Sequence, residues 1–264
     1  MIRAIYAVII LDLKRFWLDR ARLVAGLAQP LLYLFVLGSG LGASSRLGGP
    51  DYQRYIFAGV LALSLLFTAT FAAITIVFDR QIGFFKAVLV APVPRSAIAF
   101  GKIIAGALQA FVQAAIVVPF APLAGVHLTV WTVCVLLAAM FLGALTFSAI
   151  GVAIASRFNS TTVFPIVSNA VLLPMFFLSG ALYPLDVAPH WMKIAAHFDP
   201  VAYAVDLMRG ALRGQYFFQP AGGATVLILL ILVLGLECVR IFNRGEDDSV
   251  LGATQFGWAR GRSR

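Results

Sequence analysis

The chain has 264 residues, of which 61% are hydrophobic and only 12% are charged. A soluble domain of this length is about half apolar and about a quarter charged, so the composition excludes an ordinary soluble protein. The apolar runs are continuous rather than alternating, which favours membrane-spanning helices over a β-barrel. The composition therefore predicts an all-α polytopic membrane protein with a multi-pass location in the cell membrane.

The N-terminal segment, residues 1–22, has the pattern of an amphipathic helix. Within residues 2–20, apolar side chains recur every three or four positions, at Ile2, Ile5, Tyr6, Ile9, Leu13, Phe16 and Trp17. Asp12 and Asp19 are interpreted as lying largely off this face, and they argue against a cleavable signal peptide. The pattern predicts a helix that lies in the lipid headgroup region. An ordinary cytoplasmic extension of the first span is the alternative.

Six uncharged stretches predict transmembrane spans within a single permease domain, residues 1–264, and the last of them is expected to extend by a turn at either end. They are Leu23–Leu41, Ile56–Phe78, Ile103–Ala124, Val130–Ala155, Val163–Tyr183 and Ala224–Leu236. In the third span, Pro119 and Pro122 predict a kink or an early end of the helix.

The distribution of basic residues sets the expected orientation. With the N-terminus inside, fifteen Lys and Arg residues lie on the cytoplasmic side and five on the outer side. This asymmetry predicts that both termini are cytoplasmic, including a tail at residues 243–264. The net charge of +9 is then explained by topology and by contact with anionic membrane lipid, and not by nucleic-acid binding.

The outer segment at residues 184–223 is too long and too apolar for a simple loop. Asp199 followed by Pro200 predicts a helix start and Gly214 its end, which gives a short helix over Pro200–Arg213. A second short helix is expected at Pro189–His197. These apolar helices indicate segments that re-enter the outer leaflet; a folded extracellular cap is the alternative.

The sequence contains no recognisable catalytic set. Gly101-Lys102 lacks the upstream glycine and the following Ser or Thr of a phosphate-binding loop. Ionisable residues are rare within the predicted spans, which argues against an ion-coupled carrier. We therefore expect no enzyme activity and no cofactor in this chain, with energy supplied from outside it. We expect the protein that supplies this energy to attach to the cytoplasmic link at residues 79–102, which has an apolar centre.

Polar and aromatic residues in the second and fifth spans are candidates for a substrate path. Such side chains supply adaptable walls for an amphipathic or lipid-like compound. The candidates are Phe67, Thr68, Phe71, Asn169, Met175 and Phe176. Ordinary helix packing is the alternative for each of them.

Three blocks of the sequence resemble the type-2 ABC export permeases, the family of daunorubicin-type drug exporters and lipo-oligosaccharide exporters. They are Gln29-Pro30-Leu31-Leu32-Tyr33-Leu34 with the following Gly38–Gly42, Gly83-Phe84-Phe85-Lys86 through Gly101-Lys102, and the stretch from Asn169 to Gly210 that contains Leu173-Pro174-Met175, Leu178-Ser179-Gly180 and Tyr183-Pro184. Together they extend over nearly the whole chain.

The resemblance implies a six-span half-transporter that pairs with a second permease copy, as a homodimer or heterodimer, and with separate ABC ATP-binding subunits. ATP and magnesium would be bound by those partners. The ATPase-coupling helix would be formed by Gly83, Phe84, Phe85, Lys86, Leu89, Ala91 and Pro92. An outer gate would include Pro200, Tyr203, Asp206 and Arg209.

Two further functions are compatible with the sequence. A permease for a lipid-linked polysaccharide has similar topology and would need a wider path lined by aromatic rings. A polytopic membrane enzyme or assembly factor would need polar residues that converge at one depth, and the sequence shows no such set.

Overall fold

The fold is described by a computed structural model for residues 1–37, 40, 49–81 and 95–260, with side chains for residues 1–36, 40, 52–81 and 96–242. Within these ranges every regular element is a helix, which confirms the all-α prediction. Among the described residues, four apolar helical stretches are long enough to cross a membrane: Tyr52–Gln81, Ser96–Ala124, Val130–Ala155 and Pro220–Phe242. The chain is therefore a multi-pass membrane protein.

The N-terminal part forms two helices, α1 (Ile2–Leu18) and α2 (Arg20–Leu32). Asp19 separates them, and its side chain accepts a hydrogen bond from the backbone N–H of Arg22, so it caps the start of α2. A π-helical turn, Tyr33–Leu37, continues α2. The predicted first span thus begins as a helix, and most of its last residues lie outside the described ranges.

The described residues after Leu37 form eight further α-helices of four residues or more. They are α3 (Gly49–Ala72), α4 (Ile74–Gln81), α5 (Arg95–Val117), α6 (Val130–Ala155), α7 (Val163–Leu178), α8 (His190–Phe198), α9 (Pro200–Arg213) and α10 (Pro220–Arg260).

Proline and glycine end two of the apolar helices early. Helix α5 stops at Val117 and passes into a 3₁₀ turn, Val118–Ala124, so the early end predicted from the two prolines is confirmed. Helix α7 stops at Leu178, because the hydroxyl of Ser179 donates to the Phe176 carbonyl and Gly180 adopts a left-handed φ of 72°. The predicted fifth span, which continued to Tyr183, was therefore too long.

Helix α3 lies at the centre of the molecule and α10 at its periphery. In the most apolar 18 residues of the span that contains α3, 72% of the stretch is buried inside the protein. The corresponding share for Pro220–Phe242 is only 22%. Helix α3 packs against α5, α6 and α9, with Phe57, Leu61 and Leu65 fully buried. The exposed apolar residues of α10 form a surface suited to lipid or to another membrane protein.

The outer segment contains two short helices, as the sequence predicts. Helix α9 has the predicted bounds, with Asp199 as its N-cap and Gly214 in the left-handed conformation at its C-terminus. Helix α8 begins and ends one residue later than predicted. One face of α9 is buried against α6, α10 and α3, so this amphipathic helix covers one end of the bundle.

Candidate functional site

A buried charge cluster joins three helices beside the predicted coupling link. The Nζ atom of Lys102 lies 3.0 Å from a carboxylate oxygen of Asp12 in α1 and 3.0 Å from one of Asp79 in α4. It is also 3.1 Å from the hydroxyl of Thr75. Arg15 lies at the edge, where its Nη1 atom donates to Asp79 at 3.2 Å. Two cations thus balance two carboxylates in a site from which solvent is largely excluded.

The cluster brings together the two ends of the coupling link. Asp79 precedes the end of α4 at Gln81 by two residues, and Lys102 lies in the second turn of α5. An ion pair between them therefore fixes the separation of the helices that enter and leave residues 82–94. The N-terminal helix is attached to the same point through Asp12.

Helix α1 packs along α5 over several turns. A Cβ atom at Gly101 would lie 2.9 Å from the Cβ of Val8, so the glycine permits a close approach of the two helices. Further along, the side-chain amide of Gln109 donates to the backbone carbonyl of Asp12 at 3.3 Å. The sequence pattern places Asp12 largely off the apolar face of the helix, and it does not reveal that Asp12 is buried with Lys102 as its counter-charge.

The end of α4 is also held to the connection between α6 and α7. Arg80 donates to the carbonyl of Ser156 at 2.8 Å, and the amide of Gln81 donates to the carbonyl of Asn159 at 3.1 Å. The predicted coupling residues themselves, Gly83, Phe84, Phe85, Lys86, Leu89, Ala91 and Pro92, lie outside the described residues. The structure thus describes the two helices that flank the predicted coupling segment, and what holds them together.

A cleft of about 220 Å³ opens between α2, α3 and α5. Three predicted substrate-path residues of α3, Phe67, Thr68 and Phe71, lie together in its wall, and the two phenylalanine rings are stacked with their centroids 6.1 Å apart. The remaining lining residues are Arg22, Ala25, Gly26, Gln29, Pro30, Leu63, Ser64 and Gln113. The α3 wall therefore combines aromatic rings with hydroxyls, and the α2 and α5 walls carry amides and a guanidinium group.

The substrate-path residues predicted in α7 do not line this cleft. Phe176 is only 1% exposed and belongs to the main hydrophobic core, against which Met175 packs. Asn169 is half-buried on the same helix. An edge-to-face contact of 6.3 Å between Phe71 and Phe164 connects the aromatic wall with α7. The structure thus places together three of the six predicted residues.

Arg22 and Gln113 belong to the cleft, although sequence reasoning did not select them as substrate-path residues. Their positions follow from α2 folding against α5, where a Cβ atom at Gly26 would collide with the Nε2 atom of Gln113. The only sequence signal was the occurrence of glutamines inside otherwise apolar spans. Only the packing of α2 and α5 against α3 brings these residues near Phe67, and the sequence does not reveal that packing.

The four predicted outer-gate residues lie in one connected region around α9. Pro200 starts the helix, and the hydroxyl of Tyr203 donates to the carbonyl of His197 at 2.8 Å. The carboxylate of Asp206 accepts hydrogen bonds from the backbone N–H groups of Phe217 at 2.8 Å and Phe218 at 3.0 Å. Helix α9 is thereby hydrogen-bonded to the segment that precedes it and to the segment that follows it.

Arg209 connects α9 with α3 and with the end of α7. Its Nη2 atom donates to the carbonyl of Gly180 at 2.9 Å, and its guanidinium carbon lies 3.9 Å from the ring centroid of Tyr55. The hydroxyl of Tyr55 also donates toward Gly180, at 3.0 Å, and toward the carbonyl of Tyr183, at 2.7 Å. Tyr55, which the sequence did not single out, is thus one of the residues through which the central helix contacts the outer segment.

Burial raises the pKa values of two carboxyl groups in the outer segment. Burial raises the pKa of Asp199 to about 7, against the opposing effect of the hydrogen bond from the Val201 backbone. Burial also raises the pKa of Asp206, and its two backbone hydrogen bonds oppose that change. These groups serve as helix cap and loop anchor, and neither lies at the cleft.

Comparison with known proteins identifies the family. The model of the family described as "ABC-2 type transporter" matches residues 3–212. The chain belongs to the ABC-2 type transporter family. This match extends from α1 through α9 and so includes the charge cluster, the cleft and most of the outer segment.

Curated relatives of this ABC-2 chain match most of their own length. The chain is 33% identical over 227 residues to "Nodulation protein J" of Rhizobium leguminosarum bv. trifolii, and the match covers 83% of this chain and 86% of the relative. It is 26% identical over 244 residues to "Putative transport permease ycf38" of Cyanophora paradoxa, covering 84% and 83%. The resemblance drawn from the three sequence blocks is therefore confirmed at the level of the family, and the chain is a transport permease.

Proposed function

We propose that this permease is the membrane-spanning subunit of an exporter that moves a hydrophobic or amphipathic compound across the cytoplasmic membrane. The observation that carries the proposal is the cleft between α2, α3 and α5, whose walls combine stacked aromatic rings with polar groups. Such a surface suits a compound with an apolar body and a polar end. Phe67, Thr68 and Phe71 are the residues assigned to this path.

The energy for transport is assigned to a separate ABC ATP-binding subunit, which holds ATP and magnesium. Residues 83–92 form the segment that docks on that subunit, on the cytoplasmic side where both termini also lie. The charge cluster supports this assignment, because it gives the segment a rigid base. A displacement of the docked segment would therefore move α1, α4 and α5 together.

The transport path is completed by a second permease copy and by the outer segment. Exposed apolar residues on α10, among them Leu229, Leu232 and Leu236, provide a surface for lipid or for that second copy. At the outer end, α9 with Pro200, Tyr203, Asp206 and Arg209 forms the gate. Its attachments to Tyr55 and Gly180 would couple gate movement to α3 and α7.

The proposal is tested by reconstituting the permease with a candidate ABC ATP-binding subunit from the same genome and measuring ATP hydrolysis on adding hydrophobic and amphipathic compounds. We expect the two proteins to co-purify and at least one such compound to stimulate hydrolysis. Failure of the proteins to associate would refute the proposed assembly.

The docking segment has its own test in the variant Phe85→Asp. A charge placed in an apolar seat lacks a partner, so we expect ATPase association in a pull-down to weaken by roughly tenfold or more. Thr162→Asp is the control, because it adds the same charge at the exposed N-cap of α7, where Asp is favourable. Equal pull-down by both variants would rule out the assigned docking role.

A further inference from the structure

The three walls of the cleft each carry an unsatisfied polar group that can donate a hydrogen bond. Among the described residues, the Nη2 atom of Arg22, the Oγ atom of Ser64 and the Nε2 atom of Gln113 are buried and have no hydrogen-bond partner. All three residues belong to the cleft wall. Buried polar groups are usually paired, so three unpaired groups around one cleft indicate that something outside the chain pairs with them.

The chemistry of these groups specifies the ligand. A guanidinium and a carboxamide N–H₂ can only donate hydrogen bonds, and a serine hydroxyl can donate as well as accept. A ligand that satisfies all three must therefore present several acceptor atoms close together. A guanidinium also prefers a planar or tetrahedral oxyanion, to which it makes charge-assisted hydrogen bonds.

The charges near Arg22 leave it available for such an anion. The carboxylates of Asp12 and Asp79 are already paired with Lys102 and Arg15. Asp19 uses one oxygen to cap α2 at the backbone of Arg22. The guanidinium of Arg22 instead lies 5.8 Å from the ring centroid of Phe16.

The size of the cleft and its aromatic residues indicate an amphiphile. About 220 Å³ is smaller than the roughly 300–1,000 Å³ that encloses a whole drug-sized ligand. It suits a headgroup next to the stacked rings of Phe67 and Phe71, which line the same cleft on α3.

We propose that Arg22, Ser64 and Gln113 form a binding site for the oxyanion headgroup of an amphipathic molecule, whose apolar part lies against Phe67 and Phe71. This inference rests on the proposed transport function, for which it names the substrate class. Arg22 holds the anionic charge, while Ser64 and Gln113 donate to its remaining oxygens. Gly26 is part of the site, because any side chain there would displace the carboxamide of Gln113.

The test measures binding to the purified full-length chain in an uncharged detergent, without an ATPase. The probes are dihexanoyl phosphatidic acid, dihexanoyl phosphatidylcholine and inorganic phosphate, and the readout is the midpoint of thermal unfolding at increasing probe concentration. We expect phosphatidic acid to raise the midpoint much more than the other two. Equal protection by inorganic phosphate would show a free-anion site and overturn the amphiphile; no protection by phosphatidic acid would overturn the site.

Variants locate the effect at the cleft. Arg22→Gln should weaken phosphatidic acid binding by about tenfold or more, because a hydrogen bond to a charged group is lost. Arg20→Gln is the matched control, since Arg20 is exposed two residues earlier in α2, and it should bind as the wild type does. Similar affinities for both variants would refute the role of Arg22.

Ser64→Ala separates binding from folding. Removing an unpaired buried hydroxyl should leave the unliganded unfolding midpoint unchanged or raise it, while binding weakens severalfold. A lower unliganded midpoint with unchanged affinity would mean that Ser64 is structural, and would contradict the proposal. Because no ATPase is present, these results stand independently of the transport test.

Discussion

At the scale of single residues, Lys102 is the group on which the charge cluster depends. Its side chain is 6% exposed, and those of Asp12 and Asp79 are 3% and 5% exposed. Carboxylates buried to this degree are strongly unfavourable without a counter-charge. Arg15 does not replace Lys102, because it is 41% exposed and approaches the cluster only from the edge.

The variant Lys102→Met should therefore destabilise the permease strongly. It keeps the length and the apolar stem of the side chain but leaves two buried carboxylates with one peripheral cation, and we expect a loss of about 3–5 kcal/mol. The measurement is the free energy of unfolding in mixed detergent micelles. Lys14→Met removes an exposed lysine from α1 and should change little. Equal stability of the two variants would show that the cluster is not a stabilising contact.

At the scale of helices, the close approach of α3 and α6 depends on Gly151. A Cβ atom at this position would lie 2.6 Å from the Cα and 2.8 Å from the carbonyl oxygen of Thr70, so backbone and not a flexible side chain blocks it. The hydroxyl of Thr70 is oriented toward the Phe147 carbonyl, at 3.4 Å. Small residues allow membrane helices to pack at such short separation.

Gly151→Ala should force α3 and α6 apart and destabilise the bundle by about 1–3 kcal/mol. Gly235→Ala in α10 is the matched control, because its Cβ would meet only the ring of Phe100 at an ordinary 3.6 Å. There the substitution should be neutral, or stabilise by up to about 1 kcal/mol, since alanine has the higher helix propensity. The measurement is the free energy of unfolding of each variant under the same conditions. If Gly151→Ala is as stable as the control, the two helices can separate without loss of stability and the prediction is wrong.

At the scale of the whole molecule, local patterns predicted elements better than contacts between them. Asp199, Pro200 and Gly214 act on their own backbone, and they set the bounds of α9 correctly. Phe67, Thr68 and Phe71 share a wall because they recur along one helix. The burial of Asp12 was not predicted because its buried counter-charge, Lys102, is 90 positions away in sequence, a separation at which helix periodicity carries no information about pairing. Arg22 and Gln113 are brought together by the same kind of long-range packing.

The charge cluster also leads to a prediction about energy transfer through the whole permease. Arg15 lies at the edge of the cluster and links α1 to Asp79 at 3.2 Å, while Lys102 contacts both buried carboxylates and keeps these contacts without Arg15. Arg15→Gln should therefore preserve folding and ATPase association but loosen α1 from the base of the docking segment. If force passes through this contact, compound-stimulated ATP hydrolysis in the reconstituted complex should fall severalfold while basal hydrolysis is retained. Lys14→Gln, one residue earlier and exposed, should leave both rates unchanged. Stimulation by the Arg15→Gln complex that equals that of the control would show that α1 takes no part in coupling.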